Sequence, residues 1–208
     1  MPLRSTLVGA ASGAALLAGV VGFAVGLPEV TGDEPEAGSA EQSDVADSTP
    51  AADLLPEDLL DGALVRYTSL NQELAPLFED VEGYGGEQLT ASFDTDSAVG
   101  VYATPDEQVR VAVTIYNGES GLFIQTGPPV PPEMSANSET QGEYVRHGDA
   151  VCFAQYQSQA KAEGGPPFQV QCQLVAGGRT INVYEAGGLD TQQTADLADD
   201  VARQAGLS

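Results

Sequence analysis

The stretch that decides the fold is VCFAQYQSQAKAEGGPPFQVQCQLVAGGRTINVYE, residues 151–185. Apolar and polar side chains alternate within it, and the breaks EGGPP and AGG divide it into three runs. Such alternation is typical of β-strands with one buried face, and Gly-Gly is a two-residue hairpin signal. A register that places Cys152 opposite Cys172, and Leu174 opposite Ile181, turns the apolar side chains to the same side. The stretch therefore predicts a three-stranded antiparallel meander.

Cys152 and Cys172 are the two cysteines of the chain, and this register makes them face each other on neighbouring strands. A redox pair typically has the spacing CxxC, which is not present here. A structural zinc site usually takes four nitrogen or sulfur ligands, and two cysteines with one histidine are too few. Facing positions on adjacent strands suit the geometry of a disulfide. We predict a structural disulfide that stabilises the fold by about 3 kcal/mol.

A second hairpin is predicted over SAVGVYATPDEQVRVAVTIY, residues 97–116, because alternating apolar residues flank the turn sequence TPDEQ. We expect Val101 to lie opposite Val111, so that both strands turn their valines to one side. The segment GLFIQ, residues 121–125, predicts a further strand.

Two helices are predicted on either side of these strands. The first is a short helix over residues 75–83 that ends at GYGGE. Its one apolar face consists of Leu74, Leu77, Phe78 and Val81. The second lies in the tail, where Asp190 and Gln193 can form a capping box and Gly206 is a stop signal. Its buried stripe consists of Thr194, Leu197, Ala198, Val201 and Ala205.

The predicted fold class is α+β, because strands are followed by a helix that must bury its apolar stripe. We expect an antiparallel β-sheet of about five to seven strands. It packs against the C-terminal helix and the short N-terminal helix, within a domain that spans residues 54–208.

The N-terminal segment, residues 1–27, is predicted to be a transmembrane anchor. No charge and no proline occurs between Ser5 and Leu27, a length that can span a membrane. Arg4 precedes the segment, and the next basic residue is Arg66, so we expect the N-terminus in the cytoplasm. The alternative is a signal peptide that is cleaved near the small residues of Ala24-Val25-Gly26, which would give a secreted protein. Both interpretations place the rest of the chain outside the cytoplasm.

Acidic residues dominate the composition. The chain has 31 Asp and Glu against 7 Lys and Arg, a formal net charge of -24. A surface of this sign repels phosphate backbones, so nucleic-acid binding is not expected. Residues 28–53 are acidic and have no basic or aromatic residue, which predicts a disordered linker between the anchor and the domain.

Catalytic and metal-binding motifs are not evident in the sequence. His147 is the one histidine and lies near Asp149, but GxSxG is missing and we predict a surface turn. Calcium could bind oxygens of Asp94-Thr95-Asp96-Ser97, or of the group on the last helix. Neither set has the EF-hand pattern, so we predict a solvated turn and a solvated helix face. The group on the last helix consists of Asp196, Asp199 and Asp200. We therefore expect no catalytic, cofactor-binding or metal-binding residue.

The order of these segments resembles a group of membrane-anchored, exported proteins of high-GC Gram-positive bacteria (actinobacteria). The shared features are LLPEDLLDGALV, the VYAT…VAVTIY hairpin, GLFIQTGPPVPP, GDAVCFA, VQCQL and a closing helix. The resemblance covers about residues 54–205, and it implies the α+β topology and the paired cysteines. The group has no assigned activity, so the resemblance implies no catalytic residue.

The expected function is that of a membrane-tethered extracytoplasmic domain without catalysis, which binds a partner or serves as an envelope accessory protein. The expected partners are the membrane, through the N-terminal helix, and an envelope protein or ligand. The alternative is a secreted hydrolase whose carboxylates converge only in the folded chain.

Export favours oxidation of Cys152 and Cys172. We therefore expect peptide mass mapping of the exported protein, without reduction, to show one intramolecular disulfide between them. Free thiols at these positions would contradict both the disulfide and the extracytoplasmic location.

Overall fold

The computed structural model describes residues 49–120, 138–185 and 188–207. The predicted anchor, most of the predicted linker and the strand predicted over residues 121–125 lie outside these ranges. Within them, the helices are too short or too polar to cross a membrane.

The described residues form eight strands and five helical segments, which confirms the α+β class. The strands are β1 (Asp58–Leu59), β2 (Leu64–Arg66), β3 (Ser97–Ala103), β4 (Arg110–Asn117), β5 (Thr140–His147), β6 (Ala150–Gln157), β7 (Gln169–Ala176) and β8 (Arg179–Glu185). The helical segments are a 3₁₀ helix (Ala51–Leu54) and the α-helices α1 (Tyr67–Leu70), α2 (Ala75–Phe93), α3 (Ser158–Ala162) and α4 (Thr191–Gln204). All strands join one antiparallel sheet in the order β1-β2-β3-β4-β8-β7-β6-β5. The sheet thus has more than the predicted five to seven strands.

The predicted meander is confirmed by strands β6, β7 and β8. Cys152 lies opposite Cys172, and Leu174 lies opposite Ile181. The two sulfur atoms are 1.95 Å apart, a disulfide distance. These side chains are buried in the main hydrophobic core, so the meander has the single apolar face that its alternation predicts.

Helix α4 covers that apolar face, as its sequence predicts. Asp190 accepts a hydrogen bond from the backbone N–H of Gln193 (2.8 Å), and the Gln193 side chain accepts one from the backbone N–H of Asp190 (3.0 Å), so the capping box is present. The N–H of Leu207 donates to the carbonyl of Ala202, and Gly206 has a φ of 70°. This left-handed glycine ends the helix, as predicted.

The predicted register of the β3–β4 hairpin is wrong by one residue. Val111 lies opposite Tyr102, and Val101 lies opposite Ala112. Strand β3 is buried on both faces: Tyr102 joins the core under α4, whereas Val101 and Ala103 pack with α1 on the other side. Because both faces of β3 are apolar, alternation alone could not choose between the two registers.

The predicted end of the first helix is also wrong, since α2 runs to Phe93 through the sequence GYGGE. Helix α2 lies close to strand β3 at these glycines. A Cβ atom on Gly86 would be 3.3 Å from the carbonyl oxygen of Ser97, and one on Gly85 would be 3.2 Å from Val99. The glycines therefore allow close packing inside the helix, and Asp94, with a φ of 51°, ends it.

Two further boundaries differ from the sequence analysis. His147 is the last residue of strand β5, an unpredicted strand, and the turn after it consists of Gly148 and Asp149. Residues 49–53, assigned to the linker, belong to the folded domain. Ala51 is fully buried, and its N–H donates to Oδ2 of Asp96 (2.6 Å).

Replacing Gly142 of β5 by alanine is expected to lower the free energy of unfolding by about 1–3 kcal/mol. The new Cβ would lie 2.4 Å from Cζ of Phe153, whose ring packs over this glycine. Gly83→Ala is the matched control, because a Cβ there meets no atom within 4 Å and alanine stabilises a helix by about 0.5–1 kcal/mol relative to glycine. Urea unfolding of the full-length chain measures both. A Gly142→Ala midpoint equal to wild type would contradict this packing.

Candidate functional site

One buried carboxylate attaches helix α2 to the sheet by hydrogen bonds. Glu82 is the buried residue of this 19-residue helix. Its Oε1 accepts a hydrogen bond from the backbone N–H of Val101 (2.7 Å), and its Oε2 accepts one from Nη2 of Arg66. Strand β2 pairs with β3 only at Ala103 and Tyr102, so the N–H of Val101 points to an edge without a strand partner. Glu82 accepts the hydrogen bond of this N–H and thereby positions α2.

The ion pair between Arg66 and Glu82 lies in a largely buried setting. Burial alone would lower the pKa of Arg66, but Tyr102 and the Glu82 carboxylate outweigh it and raise the pKa, so the guanidinium stays charged. The guanidinium lies 5.6 Å from the centre of the Tyr102 ring. Burial raises the pKa of the Tyr102 phenol, whose hydroxyl donates to the carbonyl of Pro56 (2.7 Å). These contacts fix the inner face of α2.

The apolar face predicted for this helix is largely exposed. Leu77, Val81 and Tyr84 are 57%, 48% and 67% exposed, and Leu74 is 38% exposed. In the same set Phe78 alone turns inward, where its ring centre is 4.0 Å from that of Tyr67. We call the four exposed residues, Leu74, Leu77, Val81 and Tyr84, the apolar stripe. Their spacing of three, four and three residues places them on one side of the helix.

The opposite flank of α2 is acidic and borders a groove. Glu79, Gly83 and Glu87, spaced by four residues, line an open groove of about 640 Å³. The other lining residues include the apolar side chains of Ala52, Leu55, Ala98 and Val99. Asp80 is exposed and lies on the same row as Glu87, and α2 has no Lys or Arg. The outward surface of α2 is therefore apolar along one side and negatively charged along the other.

The histidine considered as a catalytic residue has a structural partner. Nε2 of His147 is 2.9 Å from Oγ1 of Thr191, the first residue of α4. Asp149 lies in the adjacent turn. The contact between His147 and Thr191 joins the end of β5 to the start of α4.

The first acidic group considered for calcium supports the turn before β3. Thr95 Oγ1 donates to the carbonyl of Asn117 (2.9 Å), and Ser97 Oγ donates to the carbonyl of Thr95 (3.0 Å). Asp96 accepts from the N–H of Ala51, and Asp94 is the left-handed cap of α2. Each of these residues therefore has a structural role in or next to the turn between α2 and β3.

The three carboxylates considered for calcium on α4 do not form a metal-binding cluster. Asp200 is buried and accepts a hydrogen bond from the N–H of Leu60 (2.8 Å), so it holds the turn between β1 and β2. Partial burial, with the charges of Asp196 and Asp149, raises the pKa of the Asp199 carboxyl. Across the part of the chain that the structure describes, no group of three metal-ligating side chains could hold an ion.

Sequence reasoning missed Glu82, the residue that positions the candidate site. A signal was present, because Gly85 and Gly86 indicate that one side of the helix approaches another backbone. Glu82 lies on that same side, one turn earlier. The partners of its carboxylate, Arg66 and Val101, are distant in sequence and could not be identified from the pattern.

Comparison with known proteins found no match to this chain among family models, curated proteins or solved structures. The features of α2 that bear on function are its fixed inner face, its exposed apolar stripe and its acidic flank.

Replacing Glu82 by alanine is expected to lower the free energy of unfolding by about 3 kcal/mol, because it leaves the Arg66 guanidinium without its carboxylate. Amide hydrogen exchange at Val101 should also become faster, since its N–H loses its acceptor. Glu79→Ala, on the same helix at an exposed position, should change neither quantity appreciably. Equal effects of the two substitutions would show that Glu82 does not hold α2 on the sheet.

Proposed function

We propose that this chain is a membrane-tethered extracytoplasmic domain that binds a protein partner without catalysis, through the apolar stripe of α2. The observation that carries the proposal is the exposure of Leu77, Val81 and Tyr84, which range from 48% to 67% exposed on one side of a helix. Contiguous apolar side chains at a surface mark interaction sites. A helix presents such anchors at intervals of three and four residues.

The energetics support a binding role for the stripe. Full burial of an exposed Leu or Val side chain contributes about 1.5–3 kcal/mol. Tyrosine is among the residue types that contribute most to protein interfaces, and Tyr84, the most exposed member of the stripe, is its one aromatic residue. The inner face of α2 is already fixed by Glu82, so binding does not have to order the helix first.

The extracytoplasmic location is part of the same proposal. It is supported by the predicted anchor over residues 1–27, the acidic linker that follows, and the Cys152–Cys172 disulfide, since disulfides persist in oxidising compartments. The resemblance to exported actinobacterial proteins supports it as well.

The alternative function, a secreted hydrolase, would place its carboxylates in the groove beside α2. Glu79, Glu82 and Glu87 are the acids there. Glu82 is engaged by Arg66 and by the backbone of Val101, which gives it a structural role. We favour the binding function, because a partner that covers α2 accounts for the exposed apolar stripe.

A photo-crosslinking amino acid in place of Tyr84 tests the proposal in cells that make the full-length chain. We expect a discrete adduct of defined mass, because Tyr84 would lie inside the interface. The matched control is Tyr184, an exposed tyrosine on strand β8, which should give no such adduct. The Tyr84 adduct should disappear when Leu77 and Val81 are both replaced by serine. An unchanged adduct in that variant, or identical adducts from both tyrosines, would overturn the proposed function.

A further inference from the structure

We infer that the segment which docks on α2 is a basic amphipathic helix, with an apolar stripe flanked on one side by Lys or Arg. This inference rests on the proposed function of the apolar stripe and names the chemistry of its partner. It depends on a second property of α2, the carboxylates of Asp80 and Glu87 beside the stripe. We call these two residues the acidic row.

The apolar stripe and the acidic row follow the same helix side by side. Leu77 and Tyr84 are seven residues apart, and so are Asp80 and Glu87. Because seven residues make about two helical turns, each pair forms a row parallel to the helix axis. At about 100° per residue, Asp80 and Tyr84 lie next to each other on the outermost side of α2. A partner helix that covers Leu77 and Tyr84 therefore brings its own flank against the two carboxylates.

The groove beyond the acidic row also suits a long basic side chain. Its lining combines the carboxylates of Glu79 and Glu87 with the apolar side chains of Leu55 and Val99. Lys and Arg place their aliphatic stems along apolar surface and keep the charged end near carboxylates or water. The groove therefore offers a second contact that favours a positively charged side chain, as the acidic row does.

Electrostatic repulsion disfavours two other occupants of the apolar stripe, a second copy of this chain and an anionic membrane surface. A second copy of this chain would bring its own acidic row against the first, in a molecule whose net charge is -24. An anionic membrane surface would be repelled for the same reason. A basic protein segment gains electrostatic attraction at both the acidic row and the groove, which favours its association rate and its orientation.

The test uses the full-length chain in nanodiscs of neutral phosphatidylcholine and two synthetic peptides of about five helical turns. Both peptides have leucines at the same spacing as the apolar stripe. One has lysines along one flank, and the other has glutamates at the same positions. Fluorescence anisotropy, with empty nanodiscs as the background, should show the lysine peptide binding at least about tenfold more tightly, with an advantage that shrinks as salt is raised.

Substitutions locate the binding on α2. Leu77→Ser with Val81→Ser should weaken the lysine peptide at least about tenfold. Asp80→Asn with Glu87→Gln should remove its advantage over the glutamate peptide. Asp196→Asn with Asp199→Asn is the matched control, because it neutralises two exposed carboxylates on α4, and it should leave the advantage intact. Circular dichroism of each variant confirms that the fold is retained.

Each contrary result has a separate meaning. If both peptides bind equally and the serine variant weakens both, the basic partner is overturned and the proposed function stands. If the serine variant changes the binding of neither peptide, the apolar stripe is not a binding surface and both proposals fail. If the α4 variant weakens the lysine peptide as much as the α2 variant does, the attraction is non-specific and the inference is overturned. If light scattering shows a dimer that Leu77→Ser and Val81→Ser dissociate, the occupant is a second copy and the inference is again overturned.

Discussion

The disulfide between Cys152 and Cys172 sets the register on which the rest of the sheet depends. A slip of one residue between β6 and β7 would turn one cysteine to the other face and separate the two sulfur atoms. On its other side β7 pairs with β8, where Cys172 lies opposite Val183, and β8 pairs with β4. Both sulfur atoms lie within 3.6 Å of the carbonyl oxygen of Thr191. The bonded pair therefore lies directly beneath the start of α4 and fixes which face that helix covers.

The two helices pack by different means. Helix α4 buries a continuous row of small and aliphatic side chains, and both of its ends have well-formed caps. Helix α2 covers an open strand edge through Glu82, while Gly85 and Gly86 bring its backbone close to β3. Unpaired strand edges promote association with other strands. One function of α2 is therefore to protect the edge of β3, and this function does not need its apolar side chains.

The parts of the fold that could be predicted from the sequence are those in which a single face is buried. Strands β7 and β8 and helix α4 each have one apolar side, and β6 departs from this pattern only at Phe153, so alternation or helical spacing determined their orientation. Strand β3 has Val101 and Tyr102 buried on opposite faces, so its register remained undetermined. Strand β5 has no fully buried residue, and its segment up to His147 has no clear alternation. In each case the missing information was a contact with a segment distant in sequence.

The orientation of α2 follows from a competition between a charge and an apolar surface. Burying Leu77 and Val81 would contribute a few kcal/mol. That arrangement would leave the Arg66 guanidinium without a carboxylate and the Val101 N–H without an acceptor, and each loss costs a comparable amount. The inward turn of Glu82 satisfies both groups at once and directs the apolar stripe to the surface. A stripe that is exposed because another interaction took precedence is available to a partner, and the carboxylates of Asp80 and Glu87 beside it determine the charge that this partner should have.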